Sequence, residues 1–116
     1  MADKKSTLLY LEKNSAELFR FTRQLIAAPS PNPPGEEVAV ADLVVKRMKD
    51  LGLGDPVIEA KAPHRPNVIY HLTGQADGPS LVLSGHLDTK PVRDRNRWAC
   101  DPYRGQVKSD RLYGLG

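Results

Sequence analysis

Cysteine is nearly missing. Cys100 stands alone among 116 residues, so no internal disulfide closes, and a stapled secreted scaffold or a four-cysteine zinc ribbon is excluded. A reducing, cytoplasmic setting is the expectation. Long apolar runs are missing too: the densest early run, Leu8-Leu9-Tyr10-Leu11, is flanked by charge and falls far short of the roughly 18 apolar residues of a membrane helix. No membrane partner is expected. The basic start, Met1-Ala2-Asp3-Lys4-Lys5, is followed by no apolar segment with a small-residue cleavage site, which argues against a signal peptide. A glycine-rich phosphate loop, an internal repeat and a low-complexity segment are absent as well.

What is present has the profile of a soluble globular chain, with 40% hydrophobic and 27% charged residues and a formal net charge of +3. Asn14 with Glu17 three residues on has the form of a capping box, and Leu18, Phe21 and Leu25 follow at helical spacing, which predicts a helix over 14–27. It cannot run past Pro29-Ser30-Pro31-Asn32-Pro33-Pro34-Gly35, where four prolines remove backbone donors; this segment reads as a stiff connector. A second helix is expected next. Glu36 and Glu37 lie in its first turn, Val40, Leu43, Val44, Met48 and Leu51 on one face, and Gly52 at its stop.

Three strands are predicted after it, over 57–60, 67–73 and 80–84, and a pair of short strands around Ser109-Asp110. Leu81-Val82-Leu83 is apolar on both faces, the pattern of a central strand covered on both sides in an α/β fold. Two helices and five strands do not close such a sheet, which suggests an incomplete domain.

The informative chemistry follows that strand, in Ser84-Gly85-His86-Leu87-Asp88-Thr89, because open α/β sheets bind ligands beyond the carboxyl ends of their strands. In extended backbone His86 and Asp88 point to the same side. The Asp88 carboxylate then reaches one imidazole nitrogen and leaves the other for a metal, as when a carboxylate orients a ligating histidine. Taken by themselves these residues also fit a surface hydrogen bond. A metal site needs three or four ligands, and no second carboxylate or cysteine forms an obvious set. His64 and His71 read as solvent-facing or packed.

Rival chemistries are weaker. Ser84 lacks the G-x-S-x-G turn of a nucleophile elbow, and Cys100 reads as a packed or loop residue. From Lys90 to Arg111 seven basic residues meet three acids, locally about +4, interleaved with Trp98, Tyr103 and Tyr113. That stretch offers a nucleic-acid-binding alternative, but no recognised nucleic-acid motif accompanies it, and a solvated loop is the plainer reading.

In order, the helix running into the proline segment, Arg65-Pro66-Asn67-Val68, Leu83-Ser84-Gly85-His86-Leu87-Asp88-Thr89, Asp101-Pro102-Tyr103 and Arg111-Leu112-Tyr113-Gly114-Leu115-Gly116 resemble the amino-terminal part of a metallopeptidase family. It is the family of acetylornithine deacetylase, succinyl-diaminopimelate desuccinylase, aminoacylase and carboxypeptidase G, with G-H-x-D-T as its specific element. Lys90 and Leu115 depart from the family pattern and blur the subfamily.

The resemblance implies a zinc-exopeptidase-like α/β/α catalytic domain, a mixed sheet covered by helices, of which residues 1–116 are the amino-terminal portion. It implies a metallopeptidase or deacylase, an amidohydrolase with two zinc ions, cobalt able to stand in, acting on N-acyl amino acids or small peptides. His86 matches the metal ligand and Asp88 the catalytic-site aspartate that orients it. The bridging aspartate, the glutamate base, the further ligands and a dimerisation domain that makes a homodimer are expected beyond Gly116, so the piece alone is expected to be inactive. A non-catalytic relative acting as a binding module is the alternative.

Overall fold

The computed structural model describes residues 3–116. Helix α1 spans Lys4–Lys13 and α2 spans Ser15–Ile26; after the proline segment α3 runs Val38–Asp50. Strands β1 (Val57–Glu59) and β2 (Asn67–Ile69) form one antiparallel pair, with Ile58 opposite Val68. A 3-10 turn at Arg95–Arg97 precedes β3 (Gln106–Lys108) and β4 (Arg111–Tyr113), a second antiparallel pair with Val107 opposite Leu112.

Local chemistry explains most boundaries. The Asp3 carboxylate accepts from the Ser6 amide at 2.7 Å, which caps α1. Between α1 and α2 the Asn14 side chain bonds back to the Tyr10 carbonyl at 2.8 Å. The expected capping box is therefore not formed, since that amide is already engaged with the preceding helix. Helix α3 closes with Gly52 at φ 73°, its amide on the Lys49 carbonyl and the Leu53 amide on the Met48 carbonyl, a Schellman ending. The hairpin turns on Ser109 (φ 48°) and Asp110 (φ 60°), two positive-φ residues whose twist matches that of the strands.

Two close approaches dock the hairpin on α2. The Arg23 guanidinium donates to the Gly105 carbonyl at 2.9 Å. A Cβ on Gly105 would meet the Arg23 backbone at 3.3 Å, and one on Gly114 would meet Ile26 Cγ2 at 2.6 Å. On the other side of α2, Arg47 of α3 reaches the Glu17 carboxylate at 3.5 Å and lies over the Phe21 ring.

The core is small, centred on Val40 and Ala41 of α3. The chain exposes 9786 Å², against about 6,300 Å² for a compact monomer of its mass. Its radius of gyration is 16.8 Å, where a closed domain of about 100 residues has about 13 Å.

Much of the difference is apolar, and here the sequence expectation is corrected. Leu81, Val82 and Leu83 form no strand and are 82–87% exposed. A strand exists only where a second backbone accepts its ladder, and none of the described residues pairs with this segment. Among the described residues what forms is an α/β arrangement of three helices and two separate two-stranded sheets, without the central strand.

Candidate active site

His86 and Asp88 meet in a loop held from behind by the proline segment. The Ser30 carbonyl accepts from the Thr89 amide at 2.8 Å, and the Thr89 carbonyl accepts from the Asn32 amide at 2.9 Å. These two bonds make a short parallel bridge between Pro31 and Thr89. The buried Ser30 hydroxyl adds a third tie, to the Leu87 carbonyl at 2.8 Å. The prolines thus do more than connect α2 to α3: they stiffen a template on which residues 87–89 are laid.

On that template Asp88 divides its carboxylate. Oδ2 accepts from the Asn32 side-chain amide at 2.7 Å and lies 3.9 Å from Nη2 of Arg65. Oδ1 lies 3.2 Å from Nδ1 of His86, and the Asp88 carbonyl lies 2.7 Å from the same nitrogen. The Asn32 hydrogen bond is the main reason that the Asp88 carboxyl is held below its ordinary range; its backbone amide, His86 and Arg65 add to this, and partial burial opposes it.

Both neighbours of Nδ1 are acceptors, so the hydrogen of the neutral ring belongs on Nδ1. Nε2 is left with a lone pair, on a side chain 79% exposed.

Arg65 is placed by its own neighbours. Its Nε donates to the buried Glu37 carboxylate at 3.2 Å. It passes Gly35, φ 97°, where a Cβ would stand 2.9 Å from its Cδ and Nε. Glu37 is therefore not a first-turn anion of α3, as the sequence suggested, but the residue just before Val38 and the anchor of Arg65. Glu37 Oε1 and Thr89 Oγ1 are buried without a partner among the described residues.

A histidine with one nitrogen on a backbone carbonyl and beside a carboxylate, and the other bare, is a donor that fits zinc. It supplies one ligand, and no group of three His, Cys, Asp or Glu side chains that could hold a metal ion occurs among the described residues. His64 and His71 lie on the surface; His64 Nδ1 is 4.0 Å from Glu36. Cys100 is half-buried and free. In the basic stretch Arg95 lies over the Tyr103 ring and 4.0 Å from Asp101, engaged within the chain itself. No helix among the described residues is long and apolar enough to cross a membrane.

Sequence reasoning found His86 and Asp88 and missed Ser30, Asn32 and Arg65 as parts of one site. Their contacts with Leu87 and Asp88 span tens of residues, and no local spacing signals them.

Comparison with known proteins gives the same direction. The chain is 30% identical over 112 residues to N-formyl-4-amino-5-aminomethyl-2-methylpyrimidine deformylase of Halalkalibacterium halodurans, covering 94% of this chain and 26% of that protein. It is 36% identical over 91 residues to acetylornithine deacetylase of Vibrio campbellii, covering 78% of this chain and 23% of the relative. With succinyl-diaminopimelate desuccinylase of Leptothrix cholodnii it shares 33% over 99 residues, 80% of this chain and 24% of the other. The chain thus spans about a quarter of the length of the curated relatives it matches. No family model matches, and no solved structure matches. The named relatives are a deformylase, a deacetylase and a desuccinylase, and the chain is a relative of the acetylornithine deacetylase and succinyl-diaminopimelate desuccinylase family.

Proposed function

We propose that this chain is the amino-terminal portion of the catalytic domain of a zinc-dependent amide hydrolase, in which His86 is a metal ligand and Asp88 orients it. The observation that carries this reading is the placement of Asp88 Oδ1 and the Asp88 carbonyl on His86 Nδ1, which leaves Nε2 bare and exposed. The names of the relatives support an N-acyl or N-formyl amine or amino acid as substrate in the complete protein. The α/β/α domain and a homodimer belong to the same proposal.

When bound, two zinc or cobalt ions would supply Lewis acidity toward the amide carbonyl and lower the pKa of a water. The residues of this chain prepare for that. Asp88 keeps the hydrogen on Nδ1 and leaves the Nε2 lone pair to a metal. The Asn32 amide is the main group that keeps the carboxylate ionised, and the Arg65 guanidinium, paired with Glu37, adds a smaller attraction. The exposure of His86 leaves its ring open to solvent.

The test is hydrolysis by the protein that carries this chain, loaded with zinc, against N-acetylornithine, N-succinyl-diaminopimelate and an N-formyl aminopyrimidine. Activity on one of them that His86→Ala abolishes is the expected result. Full activity in His86→Ala would overturn the assignment.

A further inference from the structure

The carboxylate of Asp88 can serve His86 only while it is turned the right way. A carboxylate attached through one freely rotating bond presents either oxygen, or neither, to a neighbour. Here one oxygen is taken up by a partner that cannot move far. The Asn32 amide donates to Oδ2 at 2.7 Å, a short distance typical of a bond to a charged acceptor. The backbone of Asn32 is itself fixed by its amide on the Thr89 carbonyl at 2.9 Å. Pro33, which follows, restricts the φ and ψ of Asn32.

We propose that Asn32 is the positioning residue of this site: its side-chain amide pins Oδ2 of Asp88, so that Oδ1 stays beside His86 Nδ1 and, with the Asp88 carbonyl, leaves Nε2 bare. The functional meaning of this rests on the reading of His86 as a metal ligand; the positioning itself does not.

The geometry gives Asn32 a role that the neighbouring cation does not duplicate. Arg65 Nη2 stands 3.9 Å from the same oxygen, beyond hydrogen-bond distance, and its Nε is committed to Glu37. Arg65 therefore contributes charge, whereas Asn32 contributes direction. An amide also has no charge to attract the histidine away or to repel a cation beyond it.

The experiment reads the imidazole tautomer of His86 by nitrogen-15 NMR, on the neutral ring of the metal-free protein that carries this chain, and follows the same signals during zinc addition. Two variants remove the donor differently: Asn32→Ala deletes the amide, and Asn32→Asp keeps its size and turns it into an acceptor. Both keep the backbone bond to Thr89, whose amide signal reports that the template is intact. The expected result is a several-fold fall in the share of ring carrying hydrogen on Nδ1 and roughly a tenfold loss of zinc affinity, as for other residues that orient a ligand.

A second measurement needs no Asn32 variant: in the wild type one Asn32 side-chain amide proton is shifted and slow to exchange, and Asp88→Ala abolishes this. An unchanged tautomer in both Asn32 variants would overturn the proposal, as would an Asn32 amide insensitive to Asp88→Ala. If the tautomer responds as expected but zinc added to the protein that carries this chain perturbs no His86 signal, the positioning role stands and the metal-ligand reading fails.

Discussion

The hydroxyl of Ser30, 1% exposed, donates to the Leu87 carbonyl at 2.8 Å across 57 positions of chain. Replacing it by Ala removes the donor and leaves the carbonyl half-buried. Ser30→Ala is expected to cost about 1 kcal/mol, read as a lower urea midpoint at unchanged slope.

Gly35 and Arg65 occupy one slot. Gly35→Ala is expected to destabilise the chain by more than about 1 kcal/mol, because φ 97° is strained for alanine and its Cβ stands 2.9 Å from the arginine side chain. In an Arg65→Ala background the clash is gone and only the backbone strain remains, so the same substitution costs less. A double-mutant cycle by thermal unfolding checks this, and additive costs would show that the two do not share the slot.

The carboxyl of Asp3 lies below its ordinary range because it accepts from the Ser6 backbone amide, with the Ser6 hydroxyl close by. For an acid whose folded pKa is depressed, the stabilisation is fully present above the unfolded value and is lost as pH falls through the folded one. The first turn of α1 is therefore expected to fray on acidification below about pH 4. Amide exchange at Ser6 and Thr7 follows this, and Asp3→Ala removes the pH dependence by removing the cap at every pH.

Leu81–Leu83 gives a direct test of the corrected strand. Val82→Lys, at a residue 82% exposed, is expected to change the stability of this chain by less than about 0.5 kcal/mol. A loss of several kcal/mol, the cost of burying an unpaired charge in a central strand, would restore the original expectation.

In the protein that carries this chain, Asp88→Asn keeps the size of the side chain and removes its charge from the His86 ring. Metal-dependent hydrolysis is expected to fall on the order of 10- to 100-fold, with metal affinity falling alongside. An unchanged rate and affinity would remove Asp88 from the site.

The parts of the fold that were legible in the sequence are those stabilised within a few residues. The 109–110 turn and the ending of α3 at Gly52 carry their instructions locally, as positive-φ positions flanked by strand or helix formers. Helix α1 went unread because its signal is a cap, not a face: Leu8, Leu9 and Leu11 are all exposed, and no periodic stripe marks it. Leu81–Leu83 was misread for the opposite reason. Its composition suits a buried strand, but strand formation is a property of two segments, and composition reports on one. The same holds at the site, where the two-residue spacing of His86 and Asp88 is visible in the sequence and the 56-residue reach of Asn32 is not.

The clasp between residues 30–32 and 87–89 also sets an order of assembly. Helices and the two-residue hairpin close short loops, whereas this clasp must bring together segments more than fifty residues apart and bear the larger loss of chain entropy. It forms after the local elements, and, with so small a core behind it, opens before they melt. The Thr89 amide, hydrogen-bonded to Ser30, is thus a natural clock for the site: its exchange rate measures how often the histidine and its aspartate come apart from the asparagine that aligns them.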